Sequence, residues 1–227
     1  MKNITDVFFD LDHTLWDFDR NSALAFKAIF KLNGIDIDFQ EFLEVYSPIN
    51  FKYWKWYRED RVTKAQFRYG RFKKTFDALG VQVTDDVIDK LSDDYIDYLP
   101  NHNHLFDNAI EVLQYLKGKY RLHIITNGFE EVQTKKLVNS KIDHFFEAVV
   151  TSESAGVKKP HSKIFKYAFA KAKTTPQQSF MIGDTYEADI IGAENVGMQT
   201  ICINYHKLVL PETNIVIDDL LELKKHL

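Results

Sequence analysis

Two aspartates separated by one residue, Asp10 and Asp12 in "DVFFDLDHTL", stand directly after an apolar run. In an extended segment side chains alternate with period two, so both carboxylates are expected to face one small volume. Two such charges raise each other's pKa unless a cation or a positive side chain neutralises them. A cationic partner is therefore expected beside them. Other polar residues end apolar runs later in the chain: Thr126 and Asn127 in "HIITNG", Asp184 in "SFMIGD", and Lys159 in the following loop "SAGVKKPH". A carboxylate nucleophile, a second carboxylate, a hydroxyl, an ammonium and a third carboxylate form a set suited to phosphoryl transfer. Each also has a plainer use. Asp10 and Asp12 could close a strand and open a turn, and "NG" after Thr126 could be an ordinary strand-to-helix turn. Lys159 could be a solvated loop lysine beside Lys158. Asp184 could cap a helix, with Glu187 three residues on, and capping does not exclude metal binding.

The elements that must bring these residues together are visible in the patterning. From about residue 100 onward, short apolar runs alternate with longer amphipathic stretches, which predicts strand and helix units around a parallel sheet. Strands are expected at "RLHIIT", "FEAVVT", "SFMIGD" and "QTICIN", with "DVFFD" joining them by composition. Helices are expected at "DNAIEVLQYLKGK", "FEEVQTKKLVNS", "HSKIFKYAFAKAK" and "YEADIIGAENVG". Residues 16–99 lack strand-like alternation and carry helical periodicities, such as Phe26, Ile29 and Phe30, and later Val87, Ile88, Leu91 and Tyr95. The expected fold class is therefore α/β: a Rossmann-like parallel sheet flanked by helices, with an inserted α-helical domain. Residues 1–15 and 100–227 would form the core and 16–99 the insertion, ending near Pro100. In such a sheet, ligands bind beyond the carboxyl ends of the strands, where the polar residues above would gather.

The motifs "DLDHTL", "ITNG", "KKP" and "GDTYEAD", in that order, resemble the four motifs of the haloacid dehalogenase superfamily, and the match covers nearly the whole chain. Four motifs in order are specific where any one alone is weak. The resemblance implies a Rossmann-like core with a helical cap inserted between the first two motifs, which residues 16–99 fit. It further implies a Mg²⁺-dependent phosphomonoester hydrolase working through an aspartyl phosphate. Asp10 would be the nucleophile and Asp12 the general acid and base. Thr126, Asn127 and Lys159 would hold the phosphoryl oxygens. Mg²⁺ would be bound by the Asp10 carboxylate, the Asp12 backbone carbonyl and Asp184, while Asp189 would orient Lys159 or a metal-bound water. A carboxylate at position 12 favours phosphate chemistry over dehalogenation, because a halide leaving group needs no proton. His13 stands where many members of the family have glycine, and it is assigned no role.

Substrate choice would rest largely on the insertion, whose stretch "NFKYWKWYRED" is aromatic nearly all round a helix. Those rings could form the core of the cap, or one could stack on a nucleobase. Together with "ITNGF", "SESAGVKKP" and "GDTYEADIIGA", the aromatic cap is similar to that of bacterial pyrimidine 5′-nucleotidases, a group associated with disposal of noncanonical nucleotides. A nucleoside 5′-monophosphate is thus the expected substrate. The alternatives are a sugar-phosphate phosphatase, a phosphomutase of the β-phosphoglucomutase type, and a non-catalytic phospho-aspartate switch. Asp12 argues against the switch, since it is suited to destroy the acyl phosphate.

Bulk properties exclude other classes. The chain has 227 residues, 45% hydrophobic and 27% charged, with a formal net charge of −4, an ordinary globular composition with no basic footprint for a nucleic acid polymer. The lone cysteine, Cys202, cannot form an internal disulfide and suits a reducing compartment. Neither a signal peptide nor an apolar run of membrane-spanning length is visible, so a soluble cytoplasmic protein, monomeric or a small homo-oligomer, is expected.

Overall fold

A computed structural model describes residues 4–205, 207–211 and 215–227. The chain divides into two compact units, Met1–Phe18 with Asn103–Leu227, and Asp19–His102.

The first unit is built on a six-stranded parallel sheet of β1 (Asp6–Phe9), β2 (Arg121–Thr126), β3 (Phe146–Thr151), β4 (Ser179–Gly183), β5 (Gln199–Ile203) and β6 (Ile215–Ile217). Their spatial order is β3-β2-β1-β4-β5-β6, so the winding reverses between β1 and β4. That is where an open parallel sheet leaves a crevice beyond its strand ends. All four residues of β1 are buried, because helices cover both faces of such a sheet and a central strand has no solvent side. One side of the sheet packs Phe8, Ile125, Val150 and Met181 against Ile164, Phe165 and Phe169 of a helix spanning Ser162–Ala172. Register is unbroken at the centre: Phe9 lies opposite both Ile124 and Ile182, so β1, β2 and β4 end close to one level.

Three expectations needed adjustment. β6 has no counterpart in the sequence reading, since three residues with Ile215 and Val216 exposed show no usable period. The segment expected to be a helix over 186–197 starts as a π-helix, Tyr186–Ile191, and only Gly192–Glu194 is α-helical. β1 stops at Phe9, so Asp10 and Asp12 lie in the loop beyond it. That loop is tight, with Leu11 O accepting from the N–H groups of Leu15 at 3.0 Å and Trp16 at 2.9 Å, and with His13 in the left-handed region at φ 58°.

The second unit is helical: α1 (Phe18–Asn33, whose first residue belongs to the other unit), α2 (Phe39–Arg58), α3 (Lys64–Ala78) and α4 (Asp85–Tyr98). Its core is aromatic. Phe26 meets Phe42, Tyr46 and Phe72 edge to face and Tyr95 in a stack, at centroid separations of 4.7 to 5.8 Å. Of the aromatic stretch on α2, Tyr57 is buried and packs with Trp54 on Phe67, whereas Phe51 is 67% exposed. Thr63 and Gln66 form a reciprocal capping box at the start of α3. Among the described residues, no helix is long and apolar enough to cross a membrane.

Candidate active site

Asp10 follows β1 directly, and its N–H extends the ladder by donating to Ile182 O at 2.9 Å. Asp184 follows β4, the neighbouring strand. The two carboxylates meet at the point where the winding reverses, and Asp189 joins them from the π-helix. One oxygen from each of the three lies within 4.8 Å of the others. Asp189 fits because residue 183 is glycine: a Cβ there would stand 2.4 Å from Asp189 Oδ2. The same Oδ2 accepts from Thr185 N at 3.0 Å, which fixes the carboxylate. The helix-cap position falls on Thr185, which makes no side-chain capping bond. Asp184 accepts instead from Thr14 Oγ1 and Thr185 Oγ1, each at 3.3 Å.

Lys159 is 2% exposed and inserts its ammonium among these groups. Its Nζ donates to Asp10 Oδ1 at 2.7 Å and to Ile125 O at 2.6 Å, and forms an ion pair with Asp189 Oδ1 at 2.6 Å. Burial alone would lower its pKa, but the charges of Asp10 and Asp189 outweigh burial and raise it. Asn127 holds the lysine's backbone from both sides, donating from Nδ2 to Lys159 O at 3.0 Å and accepting Lys159 N on Oδ1 at 2.8 Å. The Lys159–Pro160 peptide is cis.

The acids respond to the same burial. Asp10 is pushed up to about 6 by desolvation, against the pull of Lys159 and with a further push from Asp189 and Asp12. Asp184 is likewise pushed up to about 6 by desolvation, opposed by His13 and reinforced by Asp10. Asp189 is raised by burial as well. A cluster of hard oxygen donors whose charges are disfavoured by burial, and further by one another, is chemically matched to a small divalent cation. The residues present therefore fit Mg²⁺.

Asp12 does not share that cluster. Its Oδ1 takes a hydrogen bond from Lys136 Nζ at 2.5 Å and its Oδ2 one from Gln133 Nε2 at 3.1 Å. The expected cationic partner is thus two lysines, Lys159 on Asp10 and Lys136 on Asp12. Thr126 ends β2, and its Oγ1 accepts from Gly128 N at 3.1 Å and from Gln133 Nε2 at 2.8 Å. Sequence reasoning missed Lys136 and Gln133, both on α6 (Glu130–Asn139), the helix after α5 (Ala109–Lys117) in the chain. Helical phase held the signal: the buried residues of α6 are Val132, Gln133, Lys136 and Leu137, so two polar residues share the inward face. In "TKKL" the adjacent lysines look alike, yet Lys135 is exposed and Lys136 is buried.

A family model described as haloacid dehalogenase-like hydrolase matches residues 7–203. The chain is 32% identical over 209 residues to the pyrimidine 5′-nucleotidase YjjG of Escherichia coli (strain K12), covering 91% of this chain and 88% of that protein. It is 31% identical over 231 residues to the glyceraldehyde 3-phosphate phosphatase of Methanothermobacter thermautotrophicus, covering 96% and 97%. The crystal structure of the HAD-hydrolase YfnB from Bacillus subtilis bound to magnesium superposes with a TM-score of 0.90 at 27% identity, covering 99% of both chains.

Proposed function

The chain belongs to the haloacid dehalogenase-like hydrolases, and from that premise we propose that it is a Mg²⁺-dependent phosphomonoesterase acting on nucleoside 5′-monophosphates, pyrimidine nucleotides first. The observation that carries the reading is the pair of separately held carboxylates, with Asp10 among Lys159, Asp184 and Asp189, and Asp12 on donors of its own. A hydrolysis with a covalent intermediate needs one carboxylate to be esterified while another moves a proton. Asp10 would attack phosphorus, forming a new P–O bond as the ester P–O bond breaks, while Asp12 gives its proton to the departing alkoxide oxygen. In the second half Asp12 takes a proton from water as that water attacks the acyl phosphate, returning Asp10 and releasing inorganic phosphate.

Thr126 and Lys159 would hold the phosphoryl oxygens, and Asn127 would serve by keeping Lys159 in position. Asp10, Asp184 and the Asp12 backbone carbonyl would bind Mg²⁺, with Asp189 steering Lys159. The ion would supply charge neutralisation between the carboxylates and a phosphate dianion. The preference for pyrimidine nucleotides is supported by the similarity to YjjG over most of both chains. The similarity to the glyceraldehyde 3-phosphate phosphatase, over nearly the full length of both, favours a triose-phosphate substrate as the second reading.

Phosphate release with Mg²⁺ across thymidine, deoxyuridine and purine 5′-monophosphates and glyceraldehyde 3-phosphate tests the substrate. Pyrimidine nucleotides are expected to lead in kcat/KM, and a triose-phosphate lead would select the second reading. Asp10→Asn is expected to abolish turnover with the fold intact, because the amide is nearly isosteric and a poor nucleophile. Activity within about tenfold of wild type would remove the covalent route.

A further inference from the structure

The mechanism above leaves two buried polar side chains of α6 without a role. Gln133 and Lys136 stand one turn apart and are 1% and 2% exposed. Burying an ammonium and an amide is unfavourable unless each finds partners. The Lys136 ammonium lies 2.5 Å from Asp12 Oδ1, with the rings of Trp16 and Phe18 at 4.1 and 5.2 Å. Gln133 uses both hydrogens of its amide, one on Asp12 Oδ2 and one on Thr126 Oγ1. Its orientation follows from charge, since the reversed amide would set a carbonyl oxygen against a carboxylate. The space for Gln133 exists because residue 128 is glycine: a Cβ there would stand 2.4 Å from the Gln133 side chain.

Two consequences follow for groups that face the substrate. Both Asp12 oxygens are fixed by donors from one helix, which sets the plane of the carboxylate. Thr126 Oγ1 has two lone pairs, and both are occupied, by Gly128 N and by Gln133. Its hydroxyl proton is then free only to be donated. Resting on the phosphatase reading, we propose that Gln133 and Lys136 are positioning residues: both aim Asp12 at the leaving-group oxygen, and Gln133 makes Thr126 an obligate donor to the phosphoryl group. In the step they serve, the Asp12 O–H bond breaks and an O–H bond forms on the departing alkoxide. Neither α6 side chain changes its own bonds.

The two roles separate by leaving group. The phenolate of p-nitrophenyl phosphate departs without a proton, whereas the alkoxides of thymidine 5′-monophosphate and glyceraldehyde 3-phosphate need one. Single-turnover cleavage by Lys136→Met is expected to fall about 100-fold on the alkyl esters. On the aryl ester it is expected to stay within about threefold, with KM for each ester also within about threefold and Lys136→Arg recovering most of the loss. Gln133→Leu is expected to slow both ester classes, because Thr126 serves both. If Lys136→Met does not fold, Lys136→Gln replaces it with the same expectation. Equal losses on the two classes in the Lys136 variant, or no loss on either, would overturn the assignment. Wild-type enzyme that releases phosphate from no ester would instead remove the phosphatase reading, and the inference with it.

Discussion

Asp10 and Asp184 are acids held in a place that disfavours their charge. Each is pushed up to about 6 from an ordinary 3.8, chiefly by burial. Between pH 4 and 6 the metal-free folded chain therefore holds protons that the unfolded chain has lost, so these two groups make stability fall as pH rises through that window. A divalent ion needs them ionised. Mg²⁺ affinity is accordingly expected to rise with pH by about tenfold per unit below pH 6 for each carboxylate that must lose its proton. Calorimetric titration at pH 5, 6 and 7.5 measures this, and a flat affinity would remove both residues from the metal site. Asp184→Asn is expected to abolish Mg²⁺-induced thermal stabilisation while leaving the metal-free protein at least as stable as wild type, because it relieves a buried charge. At Asp12 the expectation concerns rate: Asp12→Asn should lower turnover of alkyl phosphates by about 100-fold or more, and an unchanged rate would take it out of the proton-transfer role.

Elements decide which of those residues could be foreseen. Strand ends were legible because apolar runs stop where Asp10, Thr126 and Asp184 begin, and a parallel sheet makes strand ends into a site. The helical periodicities of the insertion point to helices, and Phe26, Ile29, Ile88, Leu91 and Tyr95 are all buried there. Contributions from helices to the site were harder to see. Lys136 and Gln133 sit in a segment whose charge pattern reads as a solvated face, and only phase relative to Val132 and Leu137 marks them as inward. Residues 10–12 suit an extended segment because period two fits "DLD", whereas the backbone turns back on Leu11. β6 was invisible for want of length. Two glycines are consequences of packing that composition does not reveal. Gly128→Ala should destabilise the fold by about 1 to 3 kcal/mol by driving a methyl into Gln133, and chemical denaturation would measure the loss. At an exposed site by contrast, Thr63→Ala should cost about 1 kcal/mol through loss of the capping box of α3.

Across the whole sheet the two ends respond to acid in opposite senses. At the amino end of β1, Asp6 is fully buried and accepts from Thr5, Thr174, Arg121 and His123 at 2.6 to 2.8 Å. Burial would raise its pKa, but these four partners outweigh burial and lower it. Burial likewise lowers His123, despite the attraction of Asp6. Both shifts favour the folded state at higher pH: stability from His123 is complete above about 6.5 and is lost as pH falls from there toward its folded value, and that from Asp6 is lost below 3.8. His123→Gln is expected to flatten the decline of melting temperature between pH 7 and 5, and an unaltered slope would show that this end does not titrate.

The passage between the two units has a construction of its own. Residues 15–17 and 104–106 run antiparallel, with Asp17 N donating to His104 O at 3.1 Å, Phe106 N to Leu15 O at 3.0 Å, and a bridge between Trp16 and Leu105. The outgoing and returning strands are thus stitched together before the 84 residues of Asp19–His102 begin and after they end. A seam of this kind is a natural splice point: a short Asn-Gly turn sewn across it would close a hairpin whose two sides are already paired. The trimmed chain would keep every rung of the sheet, and a differently shaped insert could be stitched into the same seam without redrawing the fabric beneath.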